Sequence, residues 1–122
     1  MNIKTITRNG ADIAVVTAGG KLIIDVQSAL DFIMTVKYET GAERIAIDKA
    51  CVADGFFILS TGLAGEVLQK FINYHMKVAF FGDFTKYTSR PLHDFMYESN
   101  NGHDVFFAAT EAEAVDRLSG GQ

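Results

Sequence analysis

The chain has 122 residues, 48% of them apolar and 21% charged, with a net charge of −4. That length suits one domain around one core. The composition is that of an ordinary globular protein. No apolar run reaches the roughly 18 residues of a membrane helix, and no basic stripe is present to neutralise the phosphates of a nucleic acid.

The single cysteine, Cys51, excludes an internal disulfide and a thiolate metal cluster. His75, His93 and His103 show no HxxxH or HExxH spacing, so neither a metal nor a cofactor is expected. Residues 1–6 alternate like a strand and lack the basic-then-apolar layout of a signal peptide, which points to a cytoplasmic protein.

In chain order, residues 3–8 alternate apolar and polar and run into Asn9-Gly10, a hairpin signal because both residues accept positive φ. Residues 11–18 form the return strand, apolar on both faces at Ile13, Ala14, Val15 and Val16 and so an inner strand. Gly19-Gly20 ends it, and Leu22-Ile23-Ile24 is a short strand or a packed loop. Asp25 is a helix N-cap; Val26, Ala29, Leu30, Ile33 and Val36 recur at helical spacing up to a C-cap at Gly41. Residues 44–48 are a short strand, and residues 49–59 are the least regular segment. Thr61 caps a second helix with Leu63, Ala64, Val67, Leu68, Phe71 and Ile72 on one face and a Glu66–Lys70 pair on the other. Residues 77–81 suit a buried parallel strand. A loop follows, then a third helix capped by Thr88 or Ser89, with Pro91 in its first turn and Leu92, Phe95 and Met96 inward. Residues 104–109 are the last strand. Thr110 and Glu113 form a capping box for a short helix with Ala112, Val115 and Leu118 inward.

The order is β-β-α-β-α-β-α-β-α. It predicts one α/β domain over residues 1–118, a mixed sheet of about five strands with about four helices, and a frayed tail at residues 119–122.

Several strings carry a resemblance. Asp25-Val26-Gln27-Ser28-Ala29-Leu30, Leu63-Ala64-Gly65-Glu66 and Gly82-Asp83-Phe84 resemble an uncharacterised bacterial family, domain of unknown function 4180, over nearly the whole chain. That resemblance implies no activity. The segment order, with Leu59-Ser60-Thr61-Gly62-Leu63, Val78-Ala79-Phe80-Phe81 and the closing Thr110-Glu111-Ala112-Glu113-Ala114-Val115, more remotely resembles the STAS (anti-sigma-factor antagonist, SpoIIAA-like) fold. It implies a regulatory domain in which the serine before the motif's glycine is phosphorylated by a partner kinase to control partner binding. That position is Thr61 here, and Leu59 stands where the family has an aspartate.

The candidate sites follow. Thr61, with Ser60 beside it, is a helix cap, a phosphoacceptor, or both. The loop with Asp83, Phe84, Thr85, Lys86, Tyr87, Thr88 and Ser89 follows the carboxyl end of a core strand, where open α/β sheets bind ligands. It is either a ligand or partner loop, able to hold an anion at a helix start, or a solvated connection. Asp48 and Lys49 form a polar rim near Asp83 or an ordinary surface salt bridge. His75, His93 and Cys51 have no partner fixed by spacing, and no GxSxG, P-loop or GxGxxG string is present. Three functions are compatible with this pattern. The favoured one is a non-enzymatic regulatory domain for a protein partner, possible also as a homo-oligomer through the hairpin or a Phe-bearing helix face. The second is a binding module for a small apolar or amphipathic ligand, from the Phe-rich segments with Phe56, Phe57, Phe80, Phe81 and Phe84. The third is an enzyme using the Asp83 loop.

Overall fold

Asn9 and Gly10 take positive φ, 53° and 79°, and their turn folds β1 (Asn2–Arg8) onto β2 (Ala11–Thr17). The pairing is antiparallel and sets Ile3 opposite Val16 and Ile6 opposite Ile13. The computed structural model describes residues 1–120. After the hairpin come α1 (Val26–Thr40), β3 (Arg44–Asp48), α2 (Leu63–Asn73), β4 (Lys77–Phe81), α3 (Arg90–Asn100), β5 (Val105–Ala108) and α4 (Glu111–Leu118). The five strands lie in the order β1-β2-β3-β4-β5, and all pairings beyond the hairpin are parallel. The element order and the mixed α/β sheet match the sequence pattern.

Strands β2 to β5 are apolar on both faces because both faces are covered. Ala14, Val16, Ile45, Ile47, Val78, Phe80 and Phe107 meet α1, α2 and α3 on one side. Ile13, Val15, Ala46, Ala79, Phe81, Phe106 and Ala108 meet Ala114, Val115 and Leu118 of α4 on the other. The first core is built around rings: Phe80 lies 5.4 Å from Phe107 and 5.0 Å from Phe56, and Phe32 of α1 lies 6.5 Å from Phe71 of α2. Offset and edge contacts of this kind add about 0.5–1.5 kcal/mol each to simple area burial.

The helix boundaries follow their caps. Asp25 accepts the Ser28 amide while the Ser28 hydroxyl accepts the Asp25 amide, and Gly41 closes α1 at φ 70°. Thr110 accepts the Glu113 amide at 3.2 Å, but the Glu113 carboxylate reaches back to Ala109 and not to Thr110, so only one arm of the expected capping box forms. The predicted Glu66–Lys70 ion pair is also absent; the i,i+4 bond on α2 joins Gln69 to Asn73 at 2.8 Å. Ile72 is exposed and Ala112 faces solvent, whereas Phe32, outside the predicted stripe, is buried. Leu22 to Ile24 is a loop joined to the rest by one parallel bridge, Ile23 to Val52. Of the predicted tail, Ser119 is buried with its hydroxyl donating to Asp116 O, and residues 121–122 lie outside the described residues.

Two edges bound the sheet. The outer edge of β5 is occupied by a side chain: Asn100, the last residue of α3, accepts the Phe107 amide at 2.7 Å and donates to the Phe107 carbonyl at 3.1 Å. At Phe107 a carboxamide thus makes the pair of hydrogen bonds a further strand would make there. No described helix is long and apolar enough to cross a membrane.

Candidate functional site

The carboxyl ends of β3 and β4 open side by side, because Asp48 pairs with Phe81 in the parallel register. Beyond β3 the chain makes three short 3₁₀ turns, Lys49–Cys51, Asp54–Phe57 and Leu59–Thr61. Such turns have no period of their own, and here two buried rings fix them. Phe56 points to Phe80, and Phe57 sits 5.0 Å from Phe56, 5.7 Å from Phe84 and 5.0 Å from Tyr87. Phe57 therefore joins the irregular segment to the loop after β4.

The helix cap lies one residue later than the sequence suggests. Gly62, at φ 77°, occupies the N-cap position of α2, and Thr61 closes the preceding 3₁₀ turn. The Thr61 hydroxyl still serves the helix start, accepting the Leu63 amide at 3.2 Å, and it donates towards the carbonyls of Gly55 (2.8 Å) and Ile58 (2.9 Å). One hydroxyl thus ties two turns and a helix together. Thr61 and Ser60 are both exposed.

The loop after β4 begins at Gly82, with φ 145°, where a Cβ would stand 3.1 Å from the Lys49 Cβ. The Asp83 carboxylate accepts from the Thr85 hydroxyl (2.6 Å) and amide (2.9 Å), and these bonds, hydroxyl first, hold its pKa below the ordinary carboxylate value. Lys49 reaches across from the turn that follows β3. Its ammonium donates to the Asp83 carbonyl and lies over the rings of Phe84 (5.7 Å) and Tyr87 (5.2 Å). The Lys86 ammonium also lies over the Tyr87 ring, 5.1 Å from its centroid, and 3.7 Å from Asp54, whose carboxylate also accepts from the Tyr87 hydroxyl at 3.3 Å. Burial, first of all, pushes the Tyr87 phenol up. Ser89 caps α3 by accepting the Leu92 amide, so Ser89 and not Thr88 is the cap, and His93 contacts the Tyr87 carbonyl at 2.6 Å.

These two segments, separate candidates in the sequence, are opposite walls of one groove of about 370 Å³. Ile58, Leu59 and Ser60 form one side; Lys86, Tyr87, Ser89 and Pro91 form the other. Phe57 and Leu92, both buried in the core, make the floor, while Ile58 on the rim is 51% exposed. The sequence points to Phe57 only as one of the phenylalanines behind the small-ligand reading, and it gives no sign of Ile58 or Asp54 as site residues. The abrupt change from a buried Phe57 to an exposed Ile58 inside one apolar run depends on a turn that leaves no periodic signal.

The polar rim divides. Lys49 joins the loop through the main chain of Asp83, whereas the Asp48 carboxylate turns back to accept the Ala50 amide at 2.9 Å. Asp48, Lys49 and Asp83 are thus each engaged in holding backbone. Cys51 is buried, and burial pushes its thiol up. Among the described residues no three metal-binding side chains converge.

No curated protein and no solved structure matches the chain. A family match does exist, and it runs from the end of β1 through both walls of the groove to the end of α4. Over residues 8–118 the chain matches, and belongs to, the family described as domain of unknown function (DUF4180).

Proposed function

We propose that the chain is a small non-enzymatic regulatory domain, STAS-like in architecture, that binds a protein partner along the groove between the Leu59–Thr61 turn and the start of α3. The observation that carries this reading is the shared groove: Ser60 on one wall faces Lys86, Tyr87 and Ser89 on the other, over an apolar floor and beside an exposed isoleucine. An apolar centre with a polar, aromatic rim is the usual anatomy of a protein-binding surface. Thr61 is the proposed switch. A phosphate there would remove the hydrogen that Gly55 and Ile58 now receive and add roughly two negative charges at the start of α2. The turn that carries the Ile58 wall would then rearrange.

Phosphopeptide mass spectrometry of protein from its native cell identifies the modified residue. Pull-down from the same cells, comparing wild type, Thr61→Ala, Thr61→Glu and Ile58→Asp, tests the surface. Ile58→Asp is expected to abolish capture and Thr61→Glu to alter it. Equal capture by all four proteins would remove both the surface and the switch.

The volume of the groove favours a second reading, a small amphipathic ligand, since such sites begin at about 300 Å³. The phenylalanines of the core do not line that groove beyond Phe57; Phe56 and Phe80 are spent on one another. Native mass spectrometry showing only the bare chain mass would count against a retained ligand.

A further inference from the structure

The parallel register that opens the groove at one end of the sheet also aligns the opposite end, and there it sets Arg44, the first residue of β3, directly beside Lys77, the first of β4. Like charges at paired positions repel. A third cation, Arg117 in the last turn of α4, comes to the same place. Together with Asn101, His103 and Phe106 the three cations help to wall a cavity of about 450 Å³, and among the described residues no acidic side chain lines it.

We infer that this cavity binds a small molecule through its phosphate or carboxylate groups. Each cation is anchored by one main-chain carbonyl: Arg44 by Leu118, Arg117 by Asn100 at 3.3 Å, and Lys77 by His103 at 2.6 Å. Carbonyls at the ends of α3 and α4 account for each arginine singly, as helix C-terminal partners. They do not account for the convergence of both with Lys77. Lys77 has a carboxylate near it, Asp104 at 3.4 Å, but among the described residues neither arginine is in an ion pair. A guanidinium carries five N–H donors in a planar fork that matches an oxyanion edge. Anchoring through one nitrogen holds the fork in place and leaves the remaining donors for a ligand, so little ordering is left to be done on binding. Phe106 gives the cavity an apolar wall and room for more than a bare anion.

Calorimetric titration of the chain at low ionic strength tests this, with inorganic phosphate and citrate as separate probes. At least one should bind saturably with a Kd below about 1 mM, and the one that binds better names the oxyanion class. In two-dimensional NMR the amides of Gly102 and His103 should shift along the same isotherm. Arg117→Gln should weaken binding about tenfold or more. Asn101→Glu introduces a carboxylate at the rim without removing any of the three carbonyl anchors; it should abolish binding while the circular dichroism spectrum stays unchanged. Lys37→Gln, on α1, should bind as wild type. The assignment is overturned if neither probe saturates by about 10 mM, or if Asn101→Glu and Arg117→Gln titrate like wild type.

Discussion

Gly82 is where backbone conformation and packing make the same demand. Its φ of 145° lies outside the range of ordinary residues, and the space a methyl would need is held by the Lys49 stem at 3.1 Å. Gly82→Ala should lower the unfolding free energy by about 1–3 kcal/mol in urea titrations, and it should displace Lys49 from the rings of Phe84 and Tyr87. The neighbouring Asp83 gives a pH dependence of known sign. Its folded pKa lies below its ordinary value of 3.8 because Thr85 donates to the carboxylate. The stabilisation it contributes is therefore present above that value and is lost as pH falls through the lower folded pKa. Asp83→Asn should flatten the acid limb of a Tm-versus-pH profile below about pH 4. A limb identical to wild type would show that the Thr85 bonds do not persist in solution.

Elements with a period were readable from the chain, and elements without one were not. The stripe Ala29, Ile33, Val36 marks α1 correctly, yet it omits Phe32, because a helix lying across a sheet buries a wider arc than the narrowest stripe. The strands were readable because a sheet covered on both sides demands continuous apolar runs. Residues 49–59 were not, since their 3₁₀ turns are held by Phe56 and Phe57 against rings that arrive later in the chain. For the same reason Ser60 and the segment Lys86 to Ser89 could be named from sequence, but their union in one groove could not. The β5 edge was equally hidden, as nothing about an asparagine late in a helix says that it will imitate a strand. Asn100→Ala should cost about 1–3 kcal/mol, by leaving the Phe107 amide and carbonyl without that partner. The bared edge should also raise the rate of aggregation on mild heating, followed by light scattering. Asn100→Asp keeps the acceptor for the amide and should recover part of the loss.

At the scale of the whole molecule, two apolar layers share one sheet, and the ring-rich layer carries the larger part. Phe80 is fully buried between Phe56 and Phe107. Phe80→Ala should remove about 3–5 kcal/mol, a large share of the roughly 5–15 kcal/mol that holds a domain of this kind together. The expected signature is a lower urea midpoint with an unchanged slope. The strictly sequential order of the strands has a further consequence for synthesis. As the chain leaves the ribosome, each new strand finds its neighbour already made, and no earlier strand must be parted to admit a later one. Asn100 emerges ahead of β5, so the last edge meets its closure as it forms. The other layer follows a different schedule. Ile13, Val15, Ala46 and Ala79 are laid down early, while the helix that covers them, α4, is the last element to appear. A chain cut before residue 111 would keep all five strands but leave one apolar side of the sheet bare, because Ala114, Val115 and Leu118 supply its cover.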